Sequence, residues 1–268
     1  MVPSPHRVPT TGKFKLAKIN TAYTGRFKDK QTAATATRKL SDKLGDLQDR
    51  FYAEAKRALL VVLQAMDTGG KDGTIKSVFD SVDPQGCQVT SFKSPSTLEL
   101  AHDYLWRIHA AAPAKGMIGI FNRSHYESLL VERVRQLVPR AVWRRRYAHV
   151  NEFERILTDE GTVILKFFLH ISKDEQKRRL ESRLSDSHKN WKFDPADLAE
   201  RKRWDDYQHA YEDALRKTST DHAPWYVIPA DKKWYRNWAV SDVIVRTLEK
   251  LNPKYPPPKP GIAGLIVE

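Results

Sequence analysis

Cysteine is almost absent from the 268-residue sequence, which contains only Cys87. An intrachain disulfide and a zinc site built from several cysteines are therefore excluded. No run approaches the roughly 20 apolar residues of a membrane-spanning helix, and residues 1–20 contain no apolar stretch of the kind found in secretory signals. These absences predict a soluble cytoplasmic protein that does not associate with membranes.

Acidic residues are too few to balance the basic ones, because 46 Lys and Arg face 33 Asp and Glu, for a formal net charge of +13. Residues 1–28 contain six basic residues and no acid, and a second basic stretch spans residues 176–192. A surplus of this size repels itself, which indicates a polyanionic partner such as nucleic acid, an anionic surface or a small polyanionic substrate. For either stretch alone, a solvated basic surface is the alternative.

The pattern of apolar runs predicts an α/β fold. Continuous rather than alternating hydrophobicity indicates strands buried on both faces, as in a parallel sheet. Such runs occur at residues 58–65, 117–121, 163–171 and 225–228, with a weaker one at 87–92. Helical patterns lie between them, at residues 32–54, 132–157 and 234–251 and after the capping signals at Ser96 and Ser172. This alternation predicts a three-layer αβα architecture with about five parallel strands.

The same pass divides the chain into three parts. Residues 1–57 form a basic N-terminal arm and a helix, residues 58–252 form the α/β domain, and residues 253–268 form a proline-rich tail. A long charged and aromatic segment, residues 185–221, interrupts the alternation of strands and helices and is predicted to be a helical insertion. Its Trp191 and Trp204 either pack in the core or stack on a base.

A glycine-rich loop follows the first predicted strand. Residues 65–74 read Ala-Met-Asp-Thr-Gly-Gly-Lys-Asp-Gly-Thr and lead into a helical pattern. Glycines let backbone N–H groups surround phosphate oxygens, and a lysine in the loop reaches the outer phosphates. The usual pattern has a first glycine where this chain has Ala65 and a hydroxyl where it has Asp72. Strand and helix nevertheless flank Lys71 as a phosphate loop requires, although an ordinary glycine-rich turn is the alternative.

The missing hydroxyl at residue 72 affects the expected metal site, because that hydroxyl usually binds Mg²⁺. Asp67 stands in the loop at the end of the strand, where a carboxylate repels phosphate unless a divalent cation lies between them. Asp67 is therefore the first metal ligand that we predict. The alternative is a carboxylate that only stabilises the turn by accepting from backbone amides.

Polar residues also follow the strand predicted at 117–121. In parallel sheets, ligands bind at the carboxyl ends of strands. Arg123 can place two N–H donors on phosphate oxygens, and Asn122 can orient a phosphate or a metal-bound water. Glu127 is a further candidate for the metal or for a base. For His125 and Tyr126 we favour packing.

These residues resemble a known family. The loop at residues 64–75, the segment Phe-Asn-Arg-Ser-His-Tyr-Glu at 121–127 and the tail at 223–238 are similar to motifs of the polyphosphate kinase 2 family. Trp191, Phe193, Arg201, Trp204 and Tyr207 resemble its lid. The resemblance extends over roughly residues 32–256.

The resemblance implies a P-loop fold of the thymidylate-kinase type, with residues 185–221 as a helical lid. It implies Mg²⁺-dependent phosphoryl transfer, with Mn²⁺ as the alternative, between inorganic polyphosphate and nucleotides. The form of the motif at residues 122–127 is most similar to class III, which converts AMP to ADP and ADP to ATP. Other nucleotides, guanine nucleotides among them, are further candidate substrates, and a homodimer or homotetramer is expected.

Phosphoryl transfer depends on positioning and charge neutralisation rather than on a covalent protein nucleophile. We therefore assign catalysis to Asp67, Lys71 and Arg123 and the metal to Asp67 and Glu127. Phosphate binding is assigned to a larger set: Thr68, Gly69, Gly70, Lys71, Asp72, Gly73, Thr74, Asn122, Arg123, Arg178 and Arg183. The run Arg144 to Arg146 is interpreted as a solvated face or subunit contact rather than part of a polyphosphate channel.

Two other functions are compatible with the sequence. An ATP-dependent nucleotide or small-molecule kinase on the same fold needs an adenine pocket but not the excess positive charge. A nucleic-acid-binding protein with a P-loop uses the basic arm and aromatic side chains, but it does not require Asp67 and Lys71. We do not expect nucleic acid as a partner.

Overall fold

A computed structural model describes residues 2–262, and its centre is a five-stranded sheet in which every pairing is parallel. The strands lie in the order β2-β3-β1-β4-β5. Their bounds are β1 Ala58–Ala65, β2 Cys87–Ser91, β3 Ile118–Asn122, β4 Thr162–His170 and β5 Trp225–Pro229. The predicted architecture is confirmed, and each strand lies within two residues of the apolar run that predicted it.

Helices cover both faces of the sheet, which explains why β1 is buried along its whole length. The helices are α1 Lys30–Glu54, α2 Lys71–Val78, α3 Thr97–Leu100, α4 Trp106–Ala110, α5 Glu127–Val134, α6 Arg140–Asp159, α7 Lys173–Ser185, α8 Ala196–Lys202, α9 Trp204–Thr218 and α10 Lys233–Leu251. Within residues 2–262, no helix is long and apolar enough to span a membrane.

The strand order brings two loops together at the carboxyl edge of the sheet. β1 pairs with β3 in a register that places Leu63 beside Asn122. The loop after β1 and the loop after β3 are therefore neighbours, and the N–H of Arg123 donates to the carbonyl of Leu63 at 3.1 Å. β4 flanks β1 on its other side. Central strands of open α/β sheets place ligand-binding loops at this edge.

The prediction of a single helix over residues 132–157 is wrong. α5 ends at Val134, and α6 begins at Arg140 immediately after Pro139. Proline has no N–H to donate and clashes with a preceding helical turn, so it starts a helix but does not continue one. Helical periodicity on both sides of Pro139 had concealed the break.

The helix that follows Ser96 is shorter than its periodicity indicates. The predicted capping box is confirmed, since Ser96 accepts from the N–H of Glu99 and Glu99 accepts from the N–H of Ser96. α3 nevertheless ends at Leu100, and the Asp103 side chain accepts from the N–H of Leu105 to begin a new turn. Leu98 and Leu100 are exposed.

The N-terminal arm covers the edge strand β5. The N–H of Val8 donates to the carbonyl of Trp225 at 2.8 Å, and the N–H of Val227 donates to the carbonyl of His6 at 2.8 Å. Val8 and Leu16 are buried against the domain. Pairing of this kind satisfies an edge that would otherwise be open to another chain.

The segment 185–221 is helical, as the pattern predicts, but its two halves differ. α9 packs into the core, with Trp204 and Tyr207 buried and with Tyr211 stacked on Phe168 at a centroid distance of 4.1 Å. Residues 186–203 lie largely on the surface, where Trp191 is 78% exposed. Of the predicted proline-rich tail, residues 253–262 contain no helix or strand, and residues 263–268 lie outside the described residues.

Candidate active site

The glycine-rich loop lies where β1 passes into α2. β1 ends at Ala65, and α2 begins at Lys71 with Gly70 as its N-cap. Thr74 secures the first turn by donating its hydroxyl proton to the carbonyl of Gly70 at 3.0 Å. The first N–H groups of a helix have no intrahelical acceptor, so this helix start favours an anion. The predicted order of strand, loop and helix is confirmed.

Two glycines of this loop cannot carry a side chain. A Cβ on Gly69 would lie 2.3 Å from the Cβ of Ala65, and a Cβ on Gly70 would lie 2.0 Å from Nη1 of Arg236. Gly70 also has a φ of +98°, a conformation that favours glycine. Next to them, the buried Thr68 hydroxyl finds no hydrogen-bond partner among residues 2–262. A phosphate oxygen in the loop would supply that partner.

The half-buried Lys71 stands among acidic groups and one arginine. Burial lowers the pKa of Lys71, and the charge of Arg123 lowers it further. The carboxylates of Asp67, Glu127 and Asp72 act in the opposite direction. Asp72 accepts from Nδ2 of Asn122 at 2.8 Å, which ties the start of α2 to the end of β3. The two predicted motifs thus meet around Lys71.

Arg123 follows β3 in a left-handed conformation with a φ of +63°. Such a backbone is costly for a residue with a side chain, and it persists where surrounding contacts hold it. Nη2 of Arg123 lies 3.8 Å from Oδ1 of Asp67. The guanidinium remains partly exposed, so its remaining donors are free to take phosphate oxygens.

Glu127 begins α5 and belongs to the same group of charges. Burial raises the pKa of Glu127, and the negative charge of Asp67 raises it further. The cationic side chains of Arg123 and Lys71 oppose that rise. A divalent cation beside Glu127 would offset the burial and the negative charge of Asp67 that disfavour its ionised form.

A buried ion pair lies beneath the loop after β3. Nζ of Lys166, on β4, donates to Glu154 at 2.5 Å and to the Tyr126 hydroxyl at 2.9 Å, and all three side chains are buried. His125 also contacts Glu154, at 3.2 Å. His125 and Tyr126 therefore serve packing, as we favoured, and they hold the loop between Arg123 and Glu127 from below.

Comparison with known proteins identifies the family. The family model described as Polyphosphate kinase 2 (PPK2) matches residues 27–256, most of the chain. This chain belongs to the polyphosphate kinase 2 family. It is an enzyme that transfers phosphoryl groups between polyphosphate and nucleotides.

Proteins of known sequence or structure are similar to this kinase over nearly its whole length. An AMP/ADP-polyphosphate phosphotransferase of Meiothermus ruber is 55% identical over 98% of this chain and 99% of its own length. An ADP-polyphosphate phosphotransferase of Rhodopseudomonas palustris is 44% identical over 95% of this chain and 92% of its own. The crystal structure of polyphosphate kinase 2 from Arthrobacter aurescens TC1 has a TM-score of 0.93 and 44% identity, covering 96% of this chain and 92% of that one.

A cavity of about 760 Å³ opens onto the Asp67 side of the kinase's phosphate loop. Its walls include apolar and aromatic side chains, among them Phe92, Ile108, Leu130, Tyr207 and Tyr211. Its charged lining includes Asp67, Arg123, Glu127, Arg145 and Arg146. The volume and the mixed lining suit a small organic ligand that carries phosphate. Two arginines that we had interpreted as a solvated face thus border this cavity.

Phosphoryl-transfer enzymes use a divalent metal ion, and the acids present fit one. Within residues 2–262, no group of three or more His, Cys, Asp or Glu side chains is placed to hold a metal by itself. Asp67 and Glu127 are two carboxylates, and magnesium is commonly held by one or two carboxylates together with substrate phosphates and water. The donor set therefore suits a metal that arrives with its phosphate ligands.

The arginines of α7 are arranged differently from what the sequence suggests. Arg178 is mostly exposed and pairs with Glu175 at 2.8 Å, and Arg183 donates to the carbonyl of Lys192. Neither contacts the phosphate loop. Arg179 does, because its Nη1 donates to the carbonyls of Thr68 at 3.0 Å and Gly69 at 3.1 Å.

Sequence reasoning therefore missed Arg179, and it also missed Arg236 on α10. A local signal existed for Arg179, which lies four residues after Glu175 in the first turn of α7 and pairs with it at 2.7 Å. That spacing places it on the inner face of α7, where Gln176 and Leu180 are also buried. Arg236 is far from the loop in sequence. It lies within the motif at residues 223–238, but nothing in that motif indicates that its side chain reaches the phosphate loop.

The surface segment 186–203 reaches back toward the site. Asp197 of α8 lies 3.5 Å from Nη1 of Arg183. Burial raises the pKa of Asp197 to about 6, and the negative charge of Asp67 contributes to that rise. Glu200, also of α8, lines the same cavity as Asp67 and Arg123. The segment therefore borders the candidate active site.

Proposed function

We propose that this kinase phosphorylates both AMP and ADP with polyphosphate as the donor and Mg²⁺ as the metal. The observation that carries the proposal is the junction of two sites. A phosphate loop with Lys71 meets a nucleotide-sized cavity at Asp67 and Arg123. The Meiothermus ruber relative, whose name includes both AMP and ADP, supports this choice of acceptors.

The reaction follows from that geometry. The loop amides and Lys71 hold the terminal phosphate of the donor, and the cavity directs the terminal phosphate oxygen of AMP or ADP toward it. As this oxygen bonds to the terminal phosphorus, the bond from that phosphorus to the bridging oxygen breaks, and polyphosphate shorter by one phosphate leaves. Arg123 lies between the two and neutralises the charge that spreads over the transferred group. Mg²⁺ held by Asp67 and Glu127 would supply further neutralisation and orientation of the phosphates. No side chain needs to act as a nucleophile.

Product analysis tests the choice of donor and acceptors. Purified protein is incubated with Mg²⁺ and one donor, either polyphosphate or ATP, and with AMP, ADP, GMP or GDP separately. Chromatography then identifies the nucleotides formed. We expect ADP and ATP from polyphosphate. Products formed only with ATP as donor would instead establish an ATP-dependent kinase on the same fold.

The metal assignment predicts that Asp67→Asn weakens the apparent affinity for Mg²⁺ more than it weakens polyphosphate binding. The change removes one of the two carboxylates while keeping the size of the side chain. A Mg²⁺ titration of initial rate should show a higher half-saturating concentration and a lower rate at saturation. An unchanged half-saturating concentration together with an unchanged rate at saturation would place the metal elsewhere. The same titration with Mn²⁺ would show which ion Asp67 and Glu127 prefer.

We also infer that the surface half of the predicted lid, residues 186–203, closes over the substrates. Its cations would be attracted by a polyanion in the site, and closure would exclude water from the transferred group. Amide hydrogen exchange should therefore slow in residues 186–203 when polyphosphate and nucleotide are added together. The packed α9 serves as the internal control. Equal exchange with and without substrates would mark the segment as a fixed insertion.

The surface of the kinase carries large apolar side chains. Leu98, Leu100 and Leu137 are large apolar side chains that are more than half exposed. Surface of this kind is commonly covered by a partner subunit, and we propose a homodimer or homotetramer in the cytoplasm. Light scattering on the purified protein measures the assembly, and a monomer at micromolar concentration would contradict it.

A further inference from the structure

Arg236 is a buried cation that has no acidic partner in the described part of the chain. Arg236 belongs to α10 and is 2% exposed. Its Nε and Nη2 donate to Oδ1 of the adjacent Asn237, at 3.1 and 2.8 Å. Burial lowers the pKa of Arg236 to about 9, and the charge of Arg179 contributes. Buried charges are normally paired, so an unpaired one indicates an absent anion.

The guanidinium of Arg236 lies against the start of α2. Its Nη1 occupies the space beside Gly70, and its Nη2 lies 3.5 Å from the position of a Cβ on Gly73. Nη1 of Arg179 also comes within 3.5 Å of the position of a Cβ on Gly70. Two arginines from different helices therefore converge on the point where the phosphate loop turns into its helix.

More positive charge surrounds this point. Lys233 is the first residue of α10 and lies three positions before Arg236, so the two side chains are neighbours on one side of the helix. Burial lowers the pKa of Lys233, and the charges of Arg179 and Arg236 lower it further. Glu175 opposes that effect, but its carboxylate already pairs with Arg178 and Arg179. The N–H groups of Arg179 already donate to Glu175 and to backbone carbonyls. Arg236 and Lys233 are therefore the side chains at this point that can bind an anion.

The nucleotide cavity does not include this cluster. Among the described residues, no member of α7 or α10 lines the cavity, which opens from Asp67 toward Phe92 and Ile108. The apolar walls needed for a nucleoside are therefore on one side of the phosphate loop. The cluster of Arg236 and Lys233 lies at the other end of the loop and offers charge, which suits successive phosphate groups.

We propose that Arg236 and Lys233 bind the phosphate groups of polyphosphate that lie beyond the group transferred. The donor chain then passes from the phosphate loop along the N-terminal part of α10, away from the nucleotide. This assignment rests on the proposed function, because it specifies where the donor of that reaction lies. It also explains why an unpaired arginine persists in a buried position.

The test compares Arg236→Met with Arg246→Met, which removes an arginine of the same helix that pairs with Asp242. For Arg236→Met we expect a KM for polyphosphate about tenfold higher or more, and a KM for ADP within about twofold of the wild type. Arg236→Lys should recover part of the loss, because it keeps the charge without the paired N–H geometry. Arg246→Met should change neither constant.

Two further measurements separate binding from structural support. The melting temperature of Arg236→Met should not fall, since the change removes an unpaired buried charge. The salt dependence of polyphosphate binding should become shallower by about one in the slope of log K against log salt, as for one lost phosphate contact.

Three results would overturn the assignment: an unchanged KM for polyphosphate, a rise in the KM for ADP alone, or a lower melting temperature with both KM values raised equally. Equilibrium binding of polyphosphate to the wild type and to Arg236→Met, without nucleotide, keeps this test separate from the proposed function. Weaker binding by the variant supports the site even if the wild type forms no nucleotide product.

Discussion

Replacing Lys71 with alanine is expected to reduce phosphoryl transfer by about 100-fold or more while the protein stays folded. Lys71 begins α2 beside Asp67 and Arg123, where its ammonium group can neutralise oxygens around the transferred phosphoryl group. Removing one preorganised electrostatic contact commonly costs 10²–10³ in kcat. The loss should appear mainly in kcat, because charge on those oxygens is redistributed in the transition state.

Lys76→Ala is the matched control for that variant. Lys76 lies in the same short helix but is exposed and belongs to its last turn. We expect its kcat to stay within about twofold of the wild type, because it contacts no phosphate in this account. A Lys71→Ala protein with wild-type kcat and an unchanged melting temperature would contradict the assignment of the phosphate loop.

Replacing Lys166 with methionine is expected to lower the free energy of unfolding by about 3–5 kcal/mol, because removing one partner leaves Glu154 charged and unpaired in the core. The pair is buried, and Nζ of Lys166 also donates to the carbonyl of Thr218 at 2.7 Å. Urea denaturation measures the change. If the variant folds, its activity should fall too, since the pair supports the loop that carries Arg123.

A double-mutant cycle separates the ion pair from packing. Glu154→Gln alone should also destabilise the protein, because it leaves Lys166 buried without its counter-ion. The double variant Lys166→Met with Glu154→Gln should be more stable than the sum of the two single changes predicts. Additive losses, or a single loss below about 1 kcal/mol, would show that the pair contributes little.

Much of the fold could be predicted because four of the five described strands, β1, β3, β4 and β5, are buried almost throughout, whereas the edge strand β2 is not. A run such as residues 58–65 is continuously apolar, and each face of β1 is covered by helices. The two strand-end motifs could likewise be expected to meet, because parallel strands place their carboxyl ends on one edge. Local sequence thus predicted Asp67, Lys71, Arg123 and Glu127 as one group.

The remaining features depend on contacts between distant parts of the chain. Which arginine of α7 faces the loop is decided by the rotation of the helix, and Arg178 and Arg179 differ by one position. Arg236 reaches Gly70 only because α10 packs beside α2. The attachment of the N-terminal arm to β5 also requires tertiary structure to recognise. The break at Pro139, in contrast, follows from a local rule that the helical periodicity had concealed.

Transfer of label from polyphosphate to nucleotide tests the central claim most directly. Polyphosphate labelled with ³²P is incubated with unlabelled ADP, Mg²⁺ and the purified wild-type protein, and the products are separated by chromatography. The account predicts label in the γ-phosphate of ATP, at a rate at least about 100-fold lower with Lys71→Ala. Label that appears only as free phosphate, or ATP that forms equally fast with Lys71→Ala, would contradict it.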